Sequence, residues 1–206
     1  VVVVGSNPIT RSIVAGLHWM IYIRGLAPNI TDPQTPAQMA QRARMAFVVG
    51  FLKPSLAFLR VGYRAFANGQ SAFNAATSYV SQNAVTGTSP NYSIDYANAL
   101  VSRGSLTGVE GGTASENTGN IVVSWTDNSD EGFALSDDEA LILMYNPTKA
   151  ESKVVLESGV TRSAGTASVA IPGHFSGDAV HVFLAFRRPD GSMISDSTYL
   201  DEVTLS

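Results

Sequence analysis

Apolar and polar residues alternate near the start of the chain. Between His18 and Arg24, the side chains of Trp19, Ile21 and Ile23 alternate with polar or amphipathic neighbours. This period of two predicts a short β-strand with two different faces. Because an isolated strand leaves backbone groups unpaired, we expect it to pair with the rest of the chain or with another subunit.

The apolar spacing becomes helical between residues 35 and 86. Thr35 is a good N-cap, and Pro36 suits the first helical position, where its missing N–H is no loss. Pro54 predicts a kink or a new start, and Ser71 is predicted to cap a third helix. The apolar stripes of the three predicted helices are Met39, Ala43, Ala46, Phe47, Gly50 and Phe51; Leu56, Leu59, Tyr63 and Phe66; and Phe73, Ala76, Tyr79 and Val80.

Short strands separated by turn residues are predicted from residue 120 to the end. Ile121, Val123 and Trp125 alternate inward, and residues 140–145 form an apolar run typical of a buried strand. A tight turn is predicted at residues 189–191, between the last two long strands. About six short strands with an early Trp are typical of a fibronectin type III or immunoglobulin-like fold.

Residues 104–119 divide the chain, because they are rich in Gly, Ser, Thr and Asn and contain no bulky apolar cluster. We therefore expect a strand and helical segment over residues 1–103, a linker over residues 104–119 and a sandwich over residues 120–206. The predicted fold class is α+β, with an N-terminal strand plus short helices, then a fibronectin III/immunoglobulin-like antiparallel β-sandwich.

Charge is divided unevenly along the 206 residues. Residues 1–75 contain seven basic residues and one acid, a net charge of +6, whereas residues 76–206 contain six basic and sixteen acidic residues, a net charge of −10. A basic surface can meet nucleic acid, anionic lipid or the acidic half of a neighbouring copy, or it can have no partner. The longest uninterrupted apolar run beyond the N-terminus, Met45 to Leu52, is shorter than the roughly 20 residues of a membrane span, so none is predicted.

Residues suited to catalysis are sparse. The absence of cysteine excludes disulfides, thiolate metal sites and cysteine nucleophiles. The chain has three His and no G-x-S-x-G motif, and no nucleophile, base and stabiliser can be assembled from the pattern. His181 lies opposite an apolar strand face and is predicted to face solvent or to be partly packed. We therefore predict no enzymatic activity and no cofactor.

The segment that begins at Asp127 resembles a calcium loop in its spacing. Asp127, Ser129, Glu131 and Asp138 supply oxygen atoms at suitable positions, and Gly132 occupies the sixth position. An EF-hand, however, needs flanking helices and a final bidentate Glu, whereas the predicted flanks are strands. A solvated acidic loop is therefore favoured over a metal site.

A non-catalytic structural or protein-binding module is the leading hypothesis, with self-assembly when the N-terminal strand pairs with a neighbouring copy. Pairing within the same chain would give a monomer instead. Nucleic-acid binding by the helical arginines is a less favoured alternative. Carbohydrate binding on Trp19, Tyr63 or Tyr199 is another. The residues assigned to partner binding are Trp19, Tyr22, Arg24, Arg42, Arg44, Arg60 and Arg64.

Short motifs distributed along the chain resemble those of a known family. They are YIRG at 22–25, DPQTPAQ at 32–38, FLKP at 51–54, AFNAA at 72–76, AVTG at 84–87, IDY at 94–96, LVSRGSL at 100–106, WTDN at 125–128 and YNP at 145–147. Together they resemble a Bacteroidota family, the domain of unknown function 6266, over residues 19–206. The first eighteen residues depart from that family's Gly-rich basic start and its Trp-Lys-Gly step.

The resemblance assigns no catalytic residue, because the family brings no known activity. It implies an origin in Bacteroidota or an associated phage. We therefore expect a cell-surface, extracellular or virion location rather than a cytoplasmic one.

Overall fold

The structure, a computed structural model, describes residues 34–206. Within these residues, three α-helices precede nine β-strands, which pair antiparallel. The helices are α1 (Pro36–Leu52), α2 (Leu56–Gly62) and α3 (Ala72–Asn83). The strands are β1 (Val85–Thr88), β2 (Asn91–Ile94), β3 (Glu110–Asn117), β4 (Asn120–Thr126), β5 (Glu139–Asn146), β6 (Glu151–Val155), β7 (Thr166–Ala170), β8 (Ala179–Arg187) and β9 (Thr198–Thr204). The predicted α+β class with mostly antiparallel sheets is confirmed.

Capping residues set the helix ends as predicted. Thr35 Oγ1 accepts the N–H of Gln38 at 3.3 Å, and Gln38 Oε1 accepts the N–H of Thr35 at the same distance. This reciprocal pair is a capping box, with Pro36 in the first turn. Pro54 interrupts the helix with the 3-10 turn Lys53–Ser55. Ser71 caps α3 by accepting the N–H of the residue three positions later.

The strands of the described region form three sheets. β1 and β2 make a two-stranded hairpin, which the Tyr92 hydroxyl ties to the carbonyl of Ala40 on α1 at 3.0 Å. A three-stranded sheet has the order β3-β4-β7, and a four-stranded sheet has the order β6-β5-β8-β9. Residues Pro189, Asp190 and Gly191 form a turn beyond the end of β8, where the Gly191 N–H donates to the carbonyl of Arg188 at 2.8 Å.

The four-stranded sheet forms the middle of three layers, and its central strands β5 and β8 are buried on both faces. Along β5, Leu141, Leu143 and Tyr145 belong to a core cluster shared with the helices. The alternate residues Ile142 and Met144 belong to a second cluster, shared with the three-stranded sheet. This double burial explains why residues 140–145 are continuously apolar, and it confirms the predicted buried strand.

The predicted linker is wrong for its second half. Residues 110–117 form β3, which pairs with β4 at the edge of the three-stranded sheet. A Cβ added to Gly112 would lie 2.5 Å from Leu200 Cδ2, so β3 passes close to β9 at this point. Gly111, with φ of +59°, lies in an irregularity of the strand pairing. The small residues that predicted a linker therefore build an edge strand.

The described part of the helical segment is not a separate domain from the strands, because residues 34–206 form one compact unit. The buried hydroxyl of Ser197 accepts the N–H of Val101 at 2.8 Å and that of Ser102 at 3.3 Å. The Ser102 hydroxyl in turn donates to the carbonyl of Ser195 at 2.9 Å. These bonds join the segment after the helices to the segment before β9. The predicted strand near the N-terminus lies outside the described residues.

The helical stretch Pro36–Gly62 is long and apolar enough, by its length of 27 residues and its composition, to cross a membrane. The prediction of no membrane span considered only uninterrupted apolar runs, and single cations interrupt this stretch. A core helix meets the same criteria, and 39% of its most apolar window is buried. Phe51, Leu52, Phe58 and Leu59 pack into the core shared with the sheet. On composition alone the stretch is therefore weak evidence for a span.

Candidate functional site

Four large apolar side chains of residues 34–206 are exposed, and they mark two places on the surface. Met39 and Met45 lie on α1, whereas Phe133 and Leu135 lie between β4 and β5. Phe133 is the most exposed of the four, at 62%. Neighbouring exposed apolar side chains surrounded by polar residues are typical of contact surfaces. Met45 on α1 and the pair Phe133 and Leu135 are therefore candidates for binding sites.

A groove lies between α1 and α2 on one side and α3 on the other. We call it the helical groove and define it by Met45, Val49, Leu56 and Phe73. It consists of two depressions, of about 400 Å³ and about 540 Å³, which share the side chains of Val49 and Phe73. Met45 lines the smaller depression and Leu56 the larger one. The groove therefore presents apolar side chains along its length, and polar side chains also line the smaller depression.

Cations border the helical groove at both ends. Lys53 and Arg60 line the larger depression. At the other end, Arg44 donates to the carbonyl of Ser81, which lines the smaller depression. No Asp or Glu occurs anywhere in residues 34–94. The groove is thus complementary to an apolar segment that carries carboxylates.

The helical arginines that the sequence assigned to partner binding do not all converge on one site, although Arg44 and Arg60 lie at opposite ends of the helical groove. Arg60 and Arg64 share a separate cavity of about 620 Å³ with Arg187. Within residues 34–206, neither Arg60 nor Arg64 makes a hydrogen bond or an ion pair. Arg44 is held by α3, and Arg42 is exposed on α1 and makes a contact of its own. The remaining three assigned residues lie outside the described part of the chain: Trp19, Tyr22 and Arg24.

The second exposed apolar place belongs to an acidic segment, residues 127–138, which we call the acidic loop. Four of its acids are exposed, and no Lys or Arg occurs in residues 127–148. These exposed acids are Asp127, Asp130, Glu131 and Asp137. The loop therefore presents Phe133 and Leu135 among four exposed carboxylates, with one cation, Arg188, bound to the Phe133 carbonyl.

The calcium candidates Asp127, Ser129, Glu131 and Asp138 are not gathered around one point. Asp127 Oδ1 accepts the N–H of Ser129 at 3.1 Å, a local turn. Asp138 is fully buried and is paired with Arg162. Within residues 34–206, no three His, Asp or Glu side chains form a group that could hold a metal ion. The burial of Asp138 thus separates it from the exposed acids.

A buried ion pair holds the two ends of the acidic loop. Arg162 and Asp138 are both fully buried, with Arg162 Nη2 3.1 Å from Asp138 Oδ2. Arg162 Nη1 donates to Asn128 Oδ1 at 2.7 Å and to the carbonyl of Gly108 at 3.1 Å, and Nη2 donates to the carbonyl of Thr107 at 2.9 Å. Burial lowers the pKa of Arg162, and the adjacent Asp138 raises it. The guanidinium therefore fixes residues 107 and 108 against the loop.

Hydrogen bonds also fix the backbone of Phe133, although its side chain is exposed. The Phe133 N–H donates to Thr107 Oγ1 at 2.9 Å, and Arg188 Nη2 donates to the Phe133 carbonyl at 2.6 Å. The Leu135 N–H donates to the buried carboxylate of Asp138 at 2.9 Å. The two apolar side chains are therefore presented in a preorganised conformation, which lowers the entropic cost of binding.

His181 is buried, contrary to the prediction that it faces solvent or is partly packed. Its ring stacks on Tyr96 with a centroid distance of 3.5 Å, and its Nδ1 lies 3.2 Å from the hydroxyl oxygen of Tyr199. Burial lowers the pKa of His181, and the Coulombic effect of Glu202 partly opposes this. The face of β8 that carries His181 is covered because the 3-10 turn Tyr96–Asn98 places the ring of Tyr96 against it.

The two described tyrosines that were predicted as stacking platforms for a carbohydrate are buried or partly buried. Tyr63 is 1% exposed, and its hydroxyl donates to the carbonyl of Leu100 at 3.0 Å. Tyr199 is partly buried and packs beside Tyr96 and Phe183. Burial raises the pKa of both tyrosines. Trp19, the third candidate, lies outside the described residues.

The fold and these surfaces define an α+β protein with antiparallel sheets, a cationic helical groove and a separate acidic loop. Comparison with family models identifies the chain further: it belongs to a family of unknown function, DUF6266, whose model matches residues 6–201. The predicted family is thus confirmed, and the match extends into the first eighteen residues. Comparisons with curated proteins and with solved structures found no match.

The helical groove and the exposed pair Phe133 and Leu135 were not identified from the sequence. The groove depends on the packing of α3 against α1, which the apolar stripes alone do not specify. The loop did carry a signal, because two large apolar residues at alternate positions interrupt a run of acids. In a solvated loop such residues have no core to enter, so they indicate a contact.

Proposed function

We propose that this protein is a non-catalytic structural or protein-binding module whose last seven strands form a fibronectin type III-like sandwich. Counted from β3 to β9, the first, second and fifth strands make one sheet, and the other four make the second. An immunoglobulin constant domain keeps its fourth strand in the first sheet. Here the fourth strand pairs with the third instead, which favours the fibronectin type. Trp125 and the inner faces of both sheets belong to one core cluster.

The helical groove is the proposed binding surface, and it carries the proposal. Apolar side chains run through its two joined depressions, and its border is cationic. Burial of an apolar side chain contributes roughly 25 cal/mol per Å² of apolar surface, and flanking carboxylates accelerate association with a cationic border. The ligand class that fits is therefore a protein segment with apolar anchors flanked by Asp or Glu.

Fluorescence anisotropy with synthetic peptides tests this function. We expect an acidic peptide with Phe and Leu anchors to bind the full chain, and the same peptide with both anchors replaced by Ser to bind at least about tenfold more weakly. Arg60→Glu should weaken binding by about tenfold, because the variant places a carboxylate at the cationic border. Lys153→Glu, an equal charge reversal on the exposed edge strand β6, should leave binding unchanged. Equal affinity for the two peptides would refute the proposal.

Nucleic-acid binding is the second candidate, supported by the five cations and the lack of acids in residues 34–94. Phosphate contacts would make the affinity fall steeply with salt, with little dependence on sequence. A labelled DNA duplex titrated at several salt concentrations tests this. Salt-dependent DNA binding that Arg60→Glu weakens, together with no peptide binding, would favour this candidate. The apolar floor of the groove favours a protein ligand.

A bacterial surface or a phage particle is the setting that we propose. This setting rests on the resemblance to a Bacteroidota family and on the division of charge along the chain, which would let successive copies attract one another in a repeated assembly. Localisation of the tagged chain by cell fractionation tests it, and a purely cytoplasmic signal would refute it.

A further inference from the structure

We propose that the helical groove binds the acidic loop of a second copy of this chain, so that copies associate head to tail. This inference rests on the proposed protein-binding function and identifies the partner. The two surfaces are separate in the structure, because no acidic-loop residue lines either depression of the helical groove. A contact between unlike surfaces of identical chains is heterologous, and it yields rings or open filaments.

Charge complementarity is the first argument for this occupant. Residues 34–94 contain five cations and no acid, whereas residues 127–148 contain no cation. The four exposed carboxylates of the acidic loop thus match the border formed by Lys53 and Arg60. Two copies with these surfaces attract each other in the head-to-tail orientation, and like surfaces repel in the head-to-head orientation.

The apolar side chains supply the second argument. Phe133 is 62% exposed and Leu135 is 46% exposed, whereas the residue between them, Ala134, is buried. Both large side chains are therefore exposed on a loop whose backbone is already fixed by hydrogen bonds. The larger depression, about 540 Å³ with Leu56 and Phe73 in its lining, is large enough for an aromatic anchor. A preorganised aromatic residue in an apolar depression is the arrangement of a binding hot spot.

Sedimentation velocity of the full chain, across a concentration series at low and at high salt, tests the inference. We expect concentration-dependent association that high salt weakens. Phe133→Ser should weaken association by at least about 30-fold, the effect typical of a central aromatic anchor. Because Phe133 is exposed, this variant should keep the circular dichroism spectrum and the melting temperature of the unmodified chain. Met39→Ser, at an exposed apolar position outside the groove, is the matched control and should associate normally.

A mixing experiment tests the head-to-tail geometry directly. Phe133→Ser removes the anchor but keeps the groove, whereas Val49→Glu blocks the groove but keeps the loop. Each variant alone should remain monomeric, and their mixture should form one-to-one dimers and nothing larger. Wild-type chain that stays monomeric throughout, Phe133→Ser chain that still assembles, or a mixture without dimers would each overturn the inference.

The outcomes for the two proposals are distinguishable. An acidic peptide with apolar anchors that binds, together with a chain that stays monomeric, would overturn self-association and keep the protein-binding function. Self-association that Phe133→Ser does not weaken would show that another surface joins the copies. Failure of both the peptide and the self-association experiments would remove both proposals.

Discussion

Replacement of Arg162 by Met tests how strongly one buried ion pair stabilises this fold. The guanidinium is fully buried, lies 3.1 Å from Asp138 Oδ2 and stacks on Phe186 at 3.9 Å. In Arg162→Met, the carboxylate of Asp138 would stay buried and keep the N–H of Leu135 as its remaining hydrogen-bond donor within the described residues. Its remaining cation would be Arg188, whose Nε lies 3.7 Å from Asp138 Oδ1 and makes no hydrogen bond to it. Asn128 Oδ1 would lose its donor as well.

We expect this variant to lose about 3–5 kcal/mol of unfolding free energy, the cost of breaking a buried pair by removing one partner. For a chain of this length the loss corresponds to a melting temperature lower by roughly 6–20 °C. Urea denaturation followed by circular dichroism measures the free energy, and thermal denaturation measures the temperature shift. Arg60→Met, at an exposed arginine, is the control and should change stability by about 0.5 kcal/mol or less.

The double variant Arg162→Met with Asp138→Leu separates the charge effect from the other lost bonds. Removal of both charges should restore part of the loss, giving a coupling of at least about 2 kcal/mol between the two positions. Full recovery is not expected, because the carbonyl of Thr107 and Asn128 Oδ1 still lack the donor that Arg162 supplied, whereas the carbonyl of Gly108 keeps Asn128 Nδ2 as a donor at 3.3 Å. If the unfolding free energy of Arg162→Met alone lies within about 1 kcal/mol of that of the unmodified protein, the argument that the buried ion pair stabilises the fold is refuted.

Two further predictions concern backbone space and pH. Gly62→Ala should destabilise the fold by at least about 2 kcal/mol, because the new Cβ would lie 2.6 Å from the carbonyl oxygen of Val101. Gly50→Ala, whose Cβ would have no atom within 4 Å, should stabilise the fold by about 0.5–1 kcal/mol. Urea denaturation measures both changes, and equal effects would contradict the packing argument. Burial holds the pKa of His181 below its ordinary value of 6.5, so the unfolded chain binds a proton more readily than the folded chain. The stability that the neutral, buried imidazole contributes is therefore fully present above pH 6.5 and is lost as the pH falls through the lower pKa of the folded state. His181→Phe should therefore lose less stability than the unmodified chain between about pH 8 and about pH 5 in thermal denaturation, and an unchanged acid-side slope would refute the assignment.

The regular elements could be predicted because their signals are local. The capping box at Thr35, the break at Pro54 and the cap at Ser71 each depend on residues within one helical turn, and the structure shows all three. The continuous apolar run 140–145 identified a buried strand for a similar reason. Its two buried faces follow from the composition of the strand alone.

The predictions that failed depend on distant partners. Edge strand β3 has no large apolar residues to signal it, and it is formed by pairing with β4 and by close approach to Leu200, on a strand more than eighty positions later. His181 was expected to be at least partly solvated because its own strand gives no sign that Tyr96 covers it. Arg162 shows the same limit, since its acceptors come from three separate segments of the chain.

The position of Arg162 links the stability of the fold to the proposed assembly. The same guanidinium binds the side chain of Asn128 near the start of the acidic loop and that of Asp138 at its end, and it also holds the carbonyl of Thr107. Thr107 Oγ1 in turn accepts the N–H of Phe133. A disturbed ion pair would therefore loosen the loop. Binding would then have to order Phe133 again, and this entropic cost would reduce the affinity. On this argument a partly destabilised but folded variant, Asp138→Asn, should associate more weakly than the unmodified chain, although no residue of its contact surface has changed.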